Sequence, residues 1–145
     1  MTRIFYIEDT PEDIFLMDYF CKKYPHLFEM YTFESGRHFF AFINKENGYE
    51  DRDLISGPHI ILLDINIPEW DGFQILKMIK TGKNKDLKKI PVVMFSSSHR
   101  RADQELSKSF GAEYYMQKPF DFEALEESMC ILLSYALDAD ENLKI

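Results

Sequence analysis

The chain has 145 residues, 46% hydrophobic and 15% aromatic, with 13 Phe and 8 Tyr. That composition suits one packed domain with a sizeable core and excludes intrinsic disorder. Seventeen basic residues against 25 acidic ones leave a net charge of −8, which repels phosphate backbones and argues against a nucleic-acid partner.

No apolar stretch is long enough for a membrane span. The opening MTRIFYIEDT meets acidic residues too early for a secretory signal. Cys21 and Cys130 lie far apart in helical patterns and read as two buried, reduced thiols of a cytoplasmic protein. His26, His38, His59 and His99 show no zinc-ligand spacing.

The chain alternates strand and helix patterns. Residues 3–7 (RIFYI) form an apolar, β-favouring run that ends on Glu8 and Asp9. Thr10 reads as a helix N-cap, with Pro11 at the first helical position and Asp13 completing a capping-box-like pair. Ile14, Met17, Cys21 and Tyr24 follow at helical spacing, and Pro25 stops the helix. Residues 28–33 are a second strand, and Ser35 caps a helix through 38–43 whose Phe-rich part, 39–42, is core. A polar loop covers 44–57.

Residues 59–64 (HIILLD) read as a strand from the centre of a parallel sheet. Helix 72–80 follows on Phe73, Leu76 and Ile79, then a basic loop over 81–89. Lysines 77, 80, 83, 85, 88 and 89 form a solvated face. Residues 90–95 are a fourth buried strand. A helix over 100–110 is carried by Ala102, Leu106 and Phe110, with Gly111 closing it. Residues 113–116 are a short fifth strand, and Asp121 caps a final helix, after which an acidic tail occupies 138–145.

Five βα units imply an α/β domain with a parallel sheet and right-handed crossovers. Five strands fit the flavodoxin-like, doubly wound order 2-1-3-4-5. Ligands bind such sheets beyond the carboxyl ends of the strands. There the sequence places Glu8 and Asp9 after strand 1, Asp64 after strand 3, Ser96 to Ser98 after strand 4, and Lys118 after strand 5. Crowded carboxylates repel, and a hard divalent cation such as magnesium relieves them. One carboxylate can then attack a phosphoryl group, with a lysine and a hydroxyl neutralising the transferred oxygens. Ser97 and Ser98 read as plain loop, and Trp70 as the rim of the site.

The segments IEDT, LLDINIPEWDG, PVVMFSSS and YYMQKPF together resemble the receiver domain of two-component response regulators over about residues 3–137. The long loops further resemble stand-alone regulators paired with bacterial phytochromes. The resemblance implies Asp64 as phosphoacceptor and magnesium held by Glu8, Asp9, Asp64 and the Asn66 carbonyl, with Glu8 acting mainly through water. It implies Ser96 and Lys118 at the phosphoryl group, Tyr115 as switch aromatic, and a cis peptide at Lys118–Pro119. It also implies a single receiver domain over 1–145 with no output domain. Its partners would be a sensor histidine kinase or phosphotransfer protein and a downstream protein target. Homodimerisation would use the helix over 100–110, strand 5 and the final helix, with Phe110, Tyr114 and Tyr115 as anchors. Two other readings stay open: a degenerate receiver acting as a scaffold, and a phosphatase forming an aspartyl phosphate. The latter is disfavoured because Asp64-x-Asn66 lies on the third strand rather than the first.

Overall fold

The unbroken apolar runs form the middle of a parallel sheet in the computed structural model, which describes residues 1–45 and 59–136. The elements are β1 (Thr2–Ile7), α1 (Pro11–Lys23), β2 (Phe28–Phe33), α2 (Gly36–Ile43), β3 (His59–Leu63), α3 (Gly72–Thr81), α4 (Lys85–Lys88), β4 (Val92–Ser96), α5 (Arg101–Ser109), β5 (Tyr114–Gln117) and α6 (Phe122–Ala136). The strand order is β2-β1-β3-β4-β5 and every pairing is parallel, as expected for the doubly wound fold. Most of the polar loop expected over 44–57, and the whole acidic tail, lie outside the described residues.

Alternation along the strands divides the core in two. Phe5, Ile7, Ile61, Leu63, Val92 and Met94 point to one face, where Phe39 and Phe42 of α2 and Ile75, Leu76 and Ile79 of α3 cover them. Ile4, Tyr6, Ile60, Leu62, Val93 and Phe95 point to the other, under Met17 and Phe20 of α1 and Leu125, Met129 and Leu132 of α6. Each such side chain contributes about 1.5–3 kcal/mol through burial. Helices on both faces explain why β1, β3 and β4 carry no polar alternation.

Several local expectations are corrected. Thr10 occupies the N-cap position of α1, but its side chain makes no capping bond, and the Asp13 side chain bonds Lys118 instead of closing a capping pair. The basic loop contains a helical turn, α4, capped by Asn84 accepting from the Leu87 N–H and anchored by buried Leu87. Helix α5 does not bury Ala102 and Leu106. Its buried residue is Ser107, whose hydroxyl donates to the Asp103 carbonyl, while Leu106 is left exposed. Cys21 is buried, and its thiol is pushed up to about 12 by that burial, but Cys130 is only half-buried. No peptide bond among the described residues is cis, Lys118–Pro119 included.

Candidate functional site

Three backbone hydrogen bonds just past the strand ends fix the site. The Glu8 N–H donates to the Phe33 carbonyl, the Asp64 N–H to the Ile7 carbonyl, and the Lys118 N–H to the Ser96 carbonyl. Each extends the sheet by one residue, so Glu8, Asp64 and Lys118 leave the same edge on rigid backbone.

Their side chains meet. Lys118 Nζ donates to Glu8 Oε2 at 2.7 Å, to Asp13 Oδ2 at 2.8 Å and to Asp64 Oδ2 at 3.0 Å. Asp64 Oδ1 accepts the Ile65 N–H at 2.8 Å. Glu8 Oε1 accepts the N–H groups of Asp9 and Thr10, and Tyr6 lies beneath with its hydroxyl 3.5 Å from Glu8 Oε2. Glu8 is fully buried and Asp64 nearly so, whereas Asp9 and Asn66 are exposed at the mouth.

Burial pushes the Glu8 carboxyl above its ordinary range; Lys118 opposes the shift and Asp64 adds to it. Burial works against the Lys118 charge too, but the bonds to Asp13 and Glu8 and the charge of Asp64 outweigh it, and the ammonium is held above its usual value. Tyr6 is raised by burial and then by Glu8, so it stays a neutral phenol. Three carboxylates (Glu8, Asp13, Asp64) thus face one lysine, with the exposed Asp9 next to Glu8 in sequence. This hard-oxygen, net-negative set suits a divalent cation, although no group of three or more acidic, His or Cys side chains is gathered at ligating distance among the described residues.

Ser96 is fully buried, and its hydroxyl accepts the Ser98 N–H at 3.2 Å. Tyr115 donates its hydroxyl to the Ser98 carbonyl at 2.8 Å, and Ser98 Oγ donates to Asp103 Oδ2 at 2.6 Å. Ser98 lies in the loop after β4 and joins Ser96, Tyr115 and the first turn of α5. Asp13, expected to close a cap, bonds Lys118 105 positions away instead.

The loop after Asp64 is braced. Asp71 and Gln74 form a capping box that starts α3. Arg37 donates to Glu69 at 2.9 Å and lies over the ring of Trp70. Trp70 is half-buried at the rim, edge-on to Phe40. Gly72 packs so closely that a Cβ there would lie 2.2 Å from the Asp64 carbonyl oxygen and 2.7 Å from Ile65 Cα. Backbone cannot yield as a flexible side chain does. Gly72→Ala is expected to cost about 2 kcal/mol and to displace the backbone at Asp64. Gly111→Ala is the control, since its φ of +96° costs about 1 kcal/mol. Urea melts of both variants check this.

A five-stranded 2-1-3-4-5 sheet with an acidic cluster and a lysine at its carboxyl edge defines a receiver. The family model described as "Response regulator receiver domain" matches residues 4–129, and the chain belongs to that family. The response regulator Rcp1 of Synechocystis sp. is 33% identical over 115 residues, covering 79% of this chain and 75% of Rcp1. The crystal structure of the phosphorylated cyanobacterial phytochrome response regulator RcpA superposes with a TM-score of 0.80 at 29% identity, covering 95% of each chain. The Mn(2+)-bound form of Rcp1 gives 0.77 at 30% identity, covering 95% of this chain and 96% of that one. The protein is a signalling module of the two-component class, similar to phytochrome response regulators. No helix among the described residues is long and apolar enough to cross a membrane.

Proposed function

We propose that this protein accepts a phosphoryl group on Asp64 from a histidine kinase or phosphotransfer protein, in a magnesium-dependent reaction, and that the acyl phosphate switches a protein-binding surface. The observation that carries the reading is the convergence of buried Asp64 and Glu8 on Lys118 at the carboxyl edge of the sheet. Support also comes from the neighbours, one described as phosphorylated and one as Mn(2+)-bound.

An Asp64 carboxylate oxygen attacks phosphorus in line; the bond to the donor's nitrogen or oxygen breaks, and its electron pair leaves with the donor, which takes up a proton. Ile65 N–H fixes the other carboxylate oxygen, so the nucleophile is oriented in advance. Lys118 supplies positive charge for the transferred oxygens, and the Ser96 hydroxyl gives them a donor once it turns from the Ser98 N–H. Asp9, Asp64 and the Asn66 carbonyl would hold the magnesium ion, with Glu8 behind them. When bound, it neutralises charge on the phosphoryl oxygens.

Movement of Ser96 breaks its bond to Ser98, and Ser98 holds both Tyr115 and Asp103. The strain therefore reaches α5 and β5 directly. Beside them a groove of about 200 Å³ opens between β5 and α6, lined by Tyr114, Tyr115, Met116, Ser128, Ile131 and Leu132. Phe110 and Tyr114 are half-buried, so anchoring through them needs this repacking. Phe15, two residues after Asp13, and Phe120, two residues after Lys118, are both exposed and offer apolar contact to a protein donor.

Incubation with magnesium and acetyl phosphate, followed by peptide mapping by mass spectrometry, is expected to place one phosphoryl group on Asp64. An adduct elsewhere, or none, refutes the reading.

A further inference from the structure

The lysine ammonium has three N–H donors, and all three are occupied. Glu8, Asp13 and Asp64 each take one, at 2.7, 2.8 and 3.0 Å. The bond to Asp64 runs to Oδ2, the oxygen that the Ile65 N–H leaves free for attack, so phosphorylation displaces that one. A second N–H reaches the transferred group only when Glu8 or Asp13 lets go. Their exposures decide which. The side chain of Glu8 is 0% exposed and that of Asp64 7%, but that of Asp13 is 33% exposed. A carboxylate that turns out to water is resolvated on release, whereas a buried one left without its cation carries the full desolvation penalty.

Asp13 also forgoes a local role to hold this position. It sits in the first turn of α1, three residues after Thr10, yet it closes no capping pair there. It reaches instead to a residue 105 positions away. Its negative charge is partly exposed and lies 2.8 Å from Lys118, close enough to repel an anionic donor that approaches the lysine.

We propose that Asp13 is a positioning residue that holds the third N–H of Lys118 in the resting state and releases it when Asp64 is phosphorylated, thereby restraining reaction with small anionic phosphodonors. Removing its charge frees that N–H and lowers the repulsion felt by the donor, so both effects act in one direction. The inference rests on Asp64 being the acceptor.

The test uses the full chain. Phosphorylation of wild type, Asp13→Asn, Asp13→Ala and Asp13→Glu by acetyl phosphate is followed by intact mass at low and high salt, with beryllofluoride titrated against Trp70 fluorescence. Asp13→Asn and Asp13→Ala are expected to react about fivefold faster at low salt and to bind beryllofluoride correspondingly tighter. The gap should narrow to less than about twofold near 1 M salt, and Asp13→Glu should behave as wild type. Equal or slower reaction in both neutral variants overturns the proposal, as does an acceleration indifferent to salt. Mapping the wild-type adduct separates two failures: if it lies off Asp64 the acceptor assignment falls, and if it lies on Asp64 without acceleration only the role of Asp13 falls.

Discussion

Asp64→Asn should fold, retain the site's geometry and carry no phosphoryl group. The amide oxygen can still accept the Ile65 N–H, and Lys118 keeps Glu8 and Asp13. Stability is therefore expected to stay within about 1 kcal/mol of wild type. Reactivity is not, because an amide lacks the carboxylate's anionic nucleophile, and incorporation from acetyl phosphate should fall at least about a thousandfold. Asp64→Glu keeps the charge but advances the carboxylate by one carbon–carbon bond, and a misplacement of that size costs about a hundredfold. The ordering wild type, Glu, Asn then separates a nucleophile from a structural acid, since a merely structural acid would leave all three equal. Trp70, braced by Arg37 and Phe40 on the loop after Asp64, reports the same series by fluorescence. A phosphorylated Asp64→Asn protein would remove Asp64 from the centre of the chemistry.

The sequence made the sheet legible because its strands are buried on both faces. Runs such as IILL over 60–63 and VVMF over 92–95 have no solvent side, so length and flanking turns sufficed to place them. The strand-end residues Glu8, Asp64, Ser96 and Lys118 were legible for the same reason, since a parallel order forces every carboxyl end to one edge. What escaped was decided by tertiary contact. Local propensity assigns Asp13 to a helix cap, but a charge-assisted bond to the largely buried Lys118 outweighs a cap worth about 1 kcal/mol. Ser98 was legible only as loop, because its partners Tyr115 and Asp103 come from two other elements. The apolar spacing in α5 pointed inward by pattern, yet the helix lies over the sheet edge, where four-residue β5 offers little to cover it, and Leu106 stays in solvent.

Lys118→Ala is expected to destabilise the protein by about 3 kcal/mol near neutral pH, and the loss should grow as pH rises. Lysine is the one cation bonded to Glu8, Asp13 and Asp64 among the described residues. Removing it leaves Glu8 fully buried with Asp64 close by, Asp13 and Asp9 toward the mouth, and Tyr6 beneath as a neutral donor. The Glu8 carboxyl is already raised by burial, with Lys118 opposing; without Lys118 it rises further. A carboxyl whose folded-state value exceeds its unfolded one contributes fully below the unfolded value, about 4.3, and loses that contribution as pH climbs through the folded value. The variant should thus lie near wild type around pH 4–5 and fall progressively behind it toward pH 8. Urea unfolding midpoints across that range measure the gap. Glu8→Gln in the Lys118→Ala background should recover most of the loss, since it removes the buried charge that lacks a partner. A deficit that does not change with pH, or one that Glu8→Gln fails to relieve, would place the cost in lost packing of the lysine stem rather than in the electrostatics of the carboxylate cluster.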